Sequence, residues 1–242
     1  MTIELKLSNV QDELNLYLTS NRLKPASILN LNVYVEEDAL KLREIKENRE
    51  LISNIEMRIN EFFKRYRVNY FKNQAYYFKK LDDATYEKEN KTLTYFDKLE
   101  IYVGKDDYSL ERLLKALLKN KSHESIGMAL GYPMNSVKSF SEKINGEVRD
   151  WNYFMVSIAK ARNSGKEIPK WLAYISFVPK EVDIINNKVS EDARRIGKKY
   201  RNFVKKNNPE LANGVEEEFL NMKLLDSWEI SKEGDYILCY KF

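Results

Sequence analysis

The stretch Ser125-Ile126-Gly127-Met128-Ala129-Leu130-Gly131-Tyr132-Pro133-Met134-Asn135-Ser136-Val137 restricts the fold more than any other part of the chain. Its spacing predicts a short helix, a glycine-pivoted turn and a second helix starting afresh near Pro133. Glycine at 131 accepts the left-handed backbone that a side chain resists, and a small residue at 127 lets the second helix approach closely. Ile126, Leu130 and Val137 would lock the pair through apolar contact, leaving Asn135, Ser136, Lys138, Ser139 and Glu142 outside. Such a pair serves as a helix-turn-helix whose second helix enters a DNA groove, and equally as a plain corner in folds that never touch nucleic acid. Asn, Ser and Lys side chains can bond phosphates or base edges, although this helix carries no charge before Lys138.

Helices should dominate elsewhere too, since eight Gly and five Pro in 242 residues leave little material for the turns of an all-β sandwich. Residues 37–67 form the clearest helix, with Leu42, Ile45, Ile52, Ile55, Ile59 and Phe62 recurring at three, four and seven. Residues 10–19 fit helix or strand alike. Residues 69–81 and 93–103 are rich in Tyr and Phe and read as two strands, the first with a helical alternative. Ser109 is the expected cap of a helix over 110–118, a further helix spans 148–162 up to Asn163-Ser164-Gly165, and 171–178 is a buried strand or one helical turn. Ser190 is the expected cap of a helix to about 206, Pro209 opens another to about 225, and 227–242 reads as a hairpin. The fold class is therefore α+β, mostly helical: a helical body with a helix-turn-helix-like pair and a small antiparallel tyrosine-rich sheet. Residues 1–104 carry the long helix and strands, and 105–242 the helical domain with its terminal hairpin, the two expected to form one compact unit.

Net charge is only +4, but it is unevenly spread. Residues 64–80 hold six basic side chains and 193–207 hold seven, with no acid in either stretch. On the helix after Ser190, an apolar stripe of Ile196, Tyr200, Phe203 and Val204 would leave Arg194, Arg195, Lys198, Lys199, Arg201, Lys205 and Lys206 outside. That face suits phosphate neutralisation, with Asn135, Ser136, Lys138 and Ser139 as groove contacts, so DNA or RNA is the expected partner of a regulatory protein without catalysis. In the other stretch Arg65, Arg67, Lys72, Lys79 and Lys80 interleave with Phe62, Phe63, Tyr66, Tyr70, Phe71, Tyr76, Tyr77 and Phe78. This mixture fits base stacking beside phosphates; alternatively half of the rings are core and the cations line a solvated sheet edge.

One cysteine and one histidine exclude a disulfide framework and a His/Cys zinc site within the chain. Neither a phosphate-binding glycine loop nor a nucleophile elbow is present, so no metal, no cofactor and no catalytic residue is expected. Cys239, on the last strand, reads as a packed thiol. The compartment implied is reducing and cytoplasmic. With no apolar leader, and with the longest apolar run confined to 171–178, no membrane segment is expected. Two alternatives remain. One is an enzyme of unknown reaction centred on His123 and Tyr132, which requires a pocket at the glycine turn and a carboxylate in hydrogen-bond reach, Glu124, Glu111 and Asp107 being near in sequence. The other is an interaction module, a homodimer joined through exposed aromatics at 76–78.

Leu130-Gly131-Tyr132-Pro133, with His123, Val137 and Phe140, resembles the motif of an archaeal family of uncharacterised proteins, in which Leu-Gly-Tyr-Pro is followed by one residue and two cysteines. Residues 174–178, Pro179, Ser190 and Asn208-Pro209-Glu210-Leu211-Ala212 are similar to the same family's downstream half, so the likeness covers about 110–225. Asn135 and Ser136 stand where the cysteine pair would be, which implies that any thiol-based metal or redox site of the relatives is lost here. The family has no established activity to carry over.

Overall fold

A computed structural model of the chain describes residues 2–36, 49–72, 85–88, 91–140, 143–144, 147–148, 150–221, 228–230 and 236–238. The fold is α+β, and the chain forms two compact units, Met1–Asn120 and Lys121–Phe242.

The first unit runs β1 (Ile3–Leu7), α1 (Val10–Ser20), β2 (Ala26–Val35), α2 (Arg49–Tyr66), β3 (Asn69–Lys72), β4 (Thr85–Lys88), β5 (Lys91–Gly104) and α3 (Asp107–Lys115), the last continuing into a π-helical turn, Ala116–Asn120. The strands form one antiparallel sheet in the order β1-β2-β5-β3, with β4 also pairing on β5. Alternation decides its inner face: in β2 the buried Leu29, Leu31, Val33 and Val35 alternate with half-exposed Ile28, Asn30, Asn32 and Tyr34. Leu29 and Leu31 sit opposite Ile101 and Leu99 of β5, and Leu16 of α1 joins the same core.

The segment 10–19, undecided by periodicity, is helical, with the Asn9 side chain accepting the Asp12 amide at 2.8 Å as its cap. The long helix is observed from Arg49, and Leu42 and Ile45 lie outside the described residues. Its buried stripe is Leu51, Ile55, Ile59 and Phe63, rotated from the expected one so that Ile52 and Phe62 flank it half-buried. Phe63 stacks on Tyr70 of β3, with ring centroids 4.8 Å apart, so the strand that the helix meets selects which side of its broad apolar face turns inward.

The cap of α3 is Asp106 rather than Ser109. The Ser109 amide donates to Asp106 Oδ1 at 2.8 Å, a carboxylate suits the positive helix start, and Ser109 itself is buried one turn in. Hydrogen bonds from Ser109 hold the Asp106 carboxyl below its ordinary range. Because α3 packs on β5, the division between units falls after Asn120 and not between 104 and 105.

The second unit contains α4 (His123–Ala129), α5 (Met134–Ser139), a ribbon of β6 (Lys143–Ile144) and β7 (Glu147–Val148), and α6 (Trp151–Asn163). A tight helical turn at Lys170–Tyr174 follows, then β8 (Val182–Asp183) paired with β9 (Lys188–Val189), α7 (Glu191–Asn207) and α8 (Pro209–Asn221). The closing hairpin pairs β10 (Trp228–Ile230) with β11 (Tyr236–Leu238), Trp228 lying opposite Leu238. Cys239 lies outside the described residues.

Residues 171–178 are a helical turn followed by extended chain, all buried except half-exposed Ser176, and they form the centre of the core with Phe154 and Ile158 of α6. Asp150 caps α6 through the Tyr153 amide at 3.0 Å, leaving Val148 to the ribbon. Ser190 stands at the start of α7 without capping it: its hydroxyl accepts the Glu181 amide at 2.7 Å and ties the helix to the preceding chain.

Candidate functional site

The glycine corner has the expected build. Gly131 takes φ +80°, the Tyr132 amide donates back to the Gly127 carbonyl at 3.0 Å, and a Cβ on Gly127 would lie 2.8 Å from Val137 Cγ2. The expected outward face of α5 is corrected. Asn135 and Lys138 are exposed, but Ser136 and Ser139 are each 2% exposed and face inward. A six-residue helix lying flat on a core has positions 136, 137 and 139 covered together, because at about 100° per residue they share one half of its circumference. The Ser139 hydroxyl donates to the Ser136 carbonyl at 3.2 Å, while Ser136 Oγ has no hydrogen-bond partner. Glu142 lies outside the described residues.

Behind α5 lies a cavity of about 280 Å³. Ile126, Leu130, Val137, Phe177 and Val178 give it apolar walls, Ser136, Tyr132 and Ser176 contribute its hydroxyls, and His123 and Trp151 complete the rim. Tyr132 and Ser176 hydrogen-bond each other; burial raises the phenol's pKa, and this bond pulls it partly back. His123 is exposed, with its ring 5.4 Å from that of Phe140. No Asp or Glu lines the cavity among the described residues, so the pocket sought at the glycine corner is present without the carboxylate a catalytic histidine would need there.

Helix α7 supplies the basic face. Ala193, Gly197, Tyr200 and Val204 form its buried side, with Ile196 and Phe203 half-buried beside them. Gly197 was missed by periodicity, yet a Cβ there would meet the Trp171 ring at 2.5 Å; its signal was a lone glycine within 17 helical residues. Tyr200 lies near enough to Tyr132 to feel its charge, and burial is the larger reason its phenol is raised to about 12.

Outward from this side, Arg195, Lys198, Lys199, Lys205 and Lys206 are exposed and Arg194 half-exposed. Arg201 departs from the expected set: its Nε donates to Glu216 Oε1 of α8 at 2.8 Å, with Lys205 and Lys170 at 3.7 and 3.4 Å from the same carboxylate. Desolvation pushes the Glu216 pKa up, but the hydrogen bond and charge of Arg201, with Lys205 and Lys170, prevail and hold it low. The Tyr174 hydroxyl is shared between the Ala212 carbonyl at 3.2 Å and Glu216 Oε1 at 3.3 Å. Arg201 is thus an internal counter-ion, whereas Arg194, Arg195, Lys198 and Lys199 form no ion pair with any described residue.

In the first unit the other basic stretch divides differently. Phe62, Phe63, Tyr66 and Tyr70 pack on or into the core, Phe71 stacks on Tyr102, and Lys72 pairs with Glu56 at 3.0 Å. Arg65 and Arg67 are exposed, while Tyr76, Tyr77, Phe78, Lys79 and Lys80 lie outside the described residues.

Among the described residues no group of three His, Cys, Asp or Glu side chains could hold a metal ion, and no helix is long and apolar enough to cross a membrane. No protein-family model, no curated protein and no solved structure matches the chain.

Proposed function

We propose that the second unit binds nucleic acid through its phosphates, without catalysis, using Arg194, Arg195, Lys198 and Lys199 of α7, with Asn135 and Lys138 of α5 as secondary contacts. The supporting observation is the contrast along one helix: Arg201 and Lys205 are engaged by Glu216, while the four cations nearer the helix start form no ion pair within 4 Å among the described residues, the first-turn Glu191 and Asp192 included. Exposed like charges gathered on one face repel one another, and a polyanion relieves that repulsion while releasing its own counterions. Three of them, Arg195, Lys198 and Lys199, recur at the three- and four-residue spacing that aligns side chains on a helix and sit within about 6 Å of axial rise. Ser136, Ser139 and Arg201 are not part of this surface.

The test is a titration of the full chain with a short DNA duplex and with single-stranded RNA across salt concentration. Binding at low ionic strength should weaken with a log–log slope of about −3 on the duplex and about −2.5 on the single strand, as expected for three or four neutralised phosphates. The triple reversal Arg195→Glu, Lys198→Glu and Lys199→Glu should lower affinity at least tenfold. No binding at low salt, or undiminished binding by the reversed protein, would overturn the proposal.

A further inference from the structure

We infer that the cavity behind α5 is a binding site for a small, neutral, planar bicyclic aromatic molecule that carries one hydrogen-bonding edge, with Ser136 Oγ as its polar anchor. The inference stands on the cavity alone and is independent of nucleic-acid binding.

Three observations converge on it. The first is the orphaned hydroxyl. Ser136 is 2% exposed, lines the cavity and makes no hydrogen bond through Oγ, although buried polar groups are nearly always paired. Tyr132 and Ser176, the neighbouring hydroxyls, already bond each other, and Ser139 is turned to the Ser136 carbonyl, so of the hydroxyls lining the cavity among the described residues Ser136 Oγ is the one left for a guest, with the His123 ring at the rim. The second is the wall chemistry. Ile126, Leu130, Val137 and Phe177 offer apolar surface, and no Asp, Glu, Lys or Arg lines the cavity among the described residues, which disfavours an ionic guest and favours a largely apolar one.

The third observation is size. An apolar cavity of about 150 Å³ admits benzene, and this one measures about 280 Å³, nearly twice that, which suits two fused rings. Access is from the rim, where Trp151 is 45% exposed and His123 is exposed, two flat rings against which an aromatic guest can stack as it enters.

The experiment is calorimetric and NMR titration of the full chain with indole, which has one ring N–H, and with indene, the hydrocarbon of the same shape. Saturable one-to-one binding of indole that shifts the His123 and Trp151 side-chain resonances is expected. Ser136→Ala should weaken indole about three- to tenfold, the contribution of one hydrogen bond, and leave indene unchanged. Ser136→Leu, which fills the floor with apolar atoms, should weaken both at least tenfold. Absence of saturable binding overturns the proposal, as does unchanged indole affinity in Ser136→Ala. Equal loss of indole and indene in that variant also overturns it, because the hydroxyl would then not be the anchor. Should Ser136→Leu lose its near-ultraviolet circular dichroism, Ser136→Ala decides alone, since it removes only a hydroxyl that bonds nothing.

Discussion

Lys24 in the first unit and Glu216 in the second are both buried charges, and their surroundings treat them oppositely. Lys24 is 3% exposed; its Nζ donates to the Asn15 amide oxygen at 2.8 Å, and burial draws its pKa from 10.5 down to about 7. Glu216 is 7% exposed and lies within 4 Å of three cationic nitrogens, which keep it ionised despite desolvation. An interior that supplies enough opposite charge retains an ion, whereas at Lys24 desolvation outweighs what its partners return and favours loss of the proton. The same distinction separates Arg201, neutralised from within, from Arg195 and its neighbours.

The largest effect should come from removing the shared carboxylate. Glu216→Gln leaves the half-buried Arg201 without the carboxylate that it shares with Lys205 and Lys170 and should cost about 3 kcal/mol, measured by denaturant unfolding with hydrogen exchange across α7 and α8. A loss below about 1 kcal/mol would break the comparison, because it would place Glu216 among weak surface pairs. Since the folded pKa of Glu216 is depressed, its contribution is present above the unfolded value of 4.5 and disappears as pH falls through the lower folded one.

Lys24 should show a dependence of the same sign, stability rising with pH, but in an alkaline window and because its ion is the disfavoured form. Between pH 7 and about pH 10 the native lysine is neutral while the unfolded one is charged, so the unfolded state binds more protons and stability rises with pH by about 3 kcal/mol. Lys24→Met should flatten that rise and stabilise the first unit at pH 6; a flat profile in the parent protein would show that the burial penalty is not felt. Ser136 carries the comparison to a buried polar group with no hydrogen-bond partner, and Ser136→Ala should gain about 1 kcal/mol in thermal unfolding without ligand. A destabilised variant would mean that the hydroxyl has a structural bond. Smallest in stability is the Arg195, Lys198, Lys199 reversal, expected within about 0.5 kcal/mol of the parent while polyanion binding falls. A large loss of stability would place these cations inside the fold's own charge network.

What could be read from the chain was local. A glycine at 131 in the left-handed region, the close approach at Gly127 and the helix opened by Pro209 each follow from conformational preferences that act within a few residues, whereas the strand over 26–35 was not read. Caps were less legible: Asp106 and Asp150 precede their helices as well as any serine does, and competition among neighbouring side chains decided between Asp106 and Ser109. The candidate site was legible as a corner and a basic helix, but not in the direction its serines face. Of two strongly amphipathic helices, α7 forms where expected and α2 does so over its described part from Arg49, each oriented about one residue away from its true buried line.

The sequence alone thus determined where several of the helices form, that the chain turns at Gly131, and that positive charge collects on α7, because these depend on backbone preferences and on side-chain spacing. Only the tertiary structure decided that Ser136 and Ser139 face inward, that a cavity lies behind α5, and that Glu216 claims Arg201 from 15 residues away and meets Tyr174 from 42 away. Burial and ion pairing belong to surfaces brought together by folding, and no window of local sequence contains both partners.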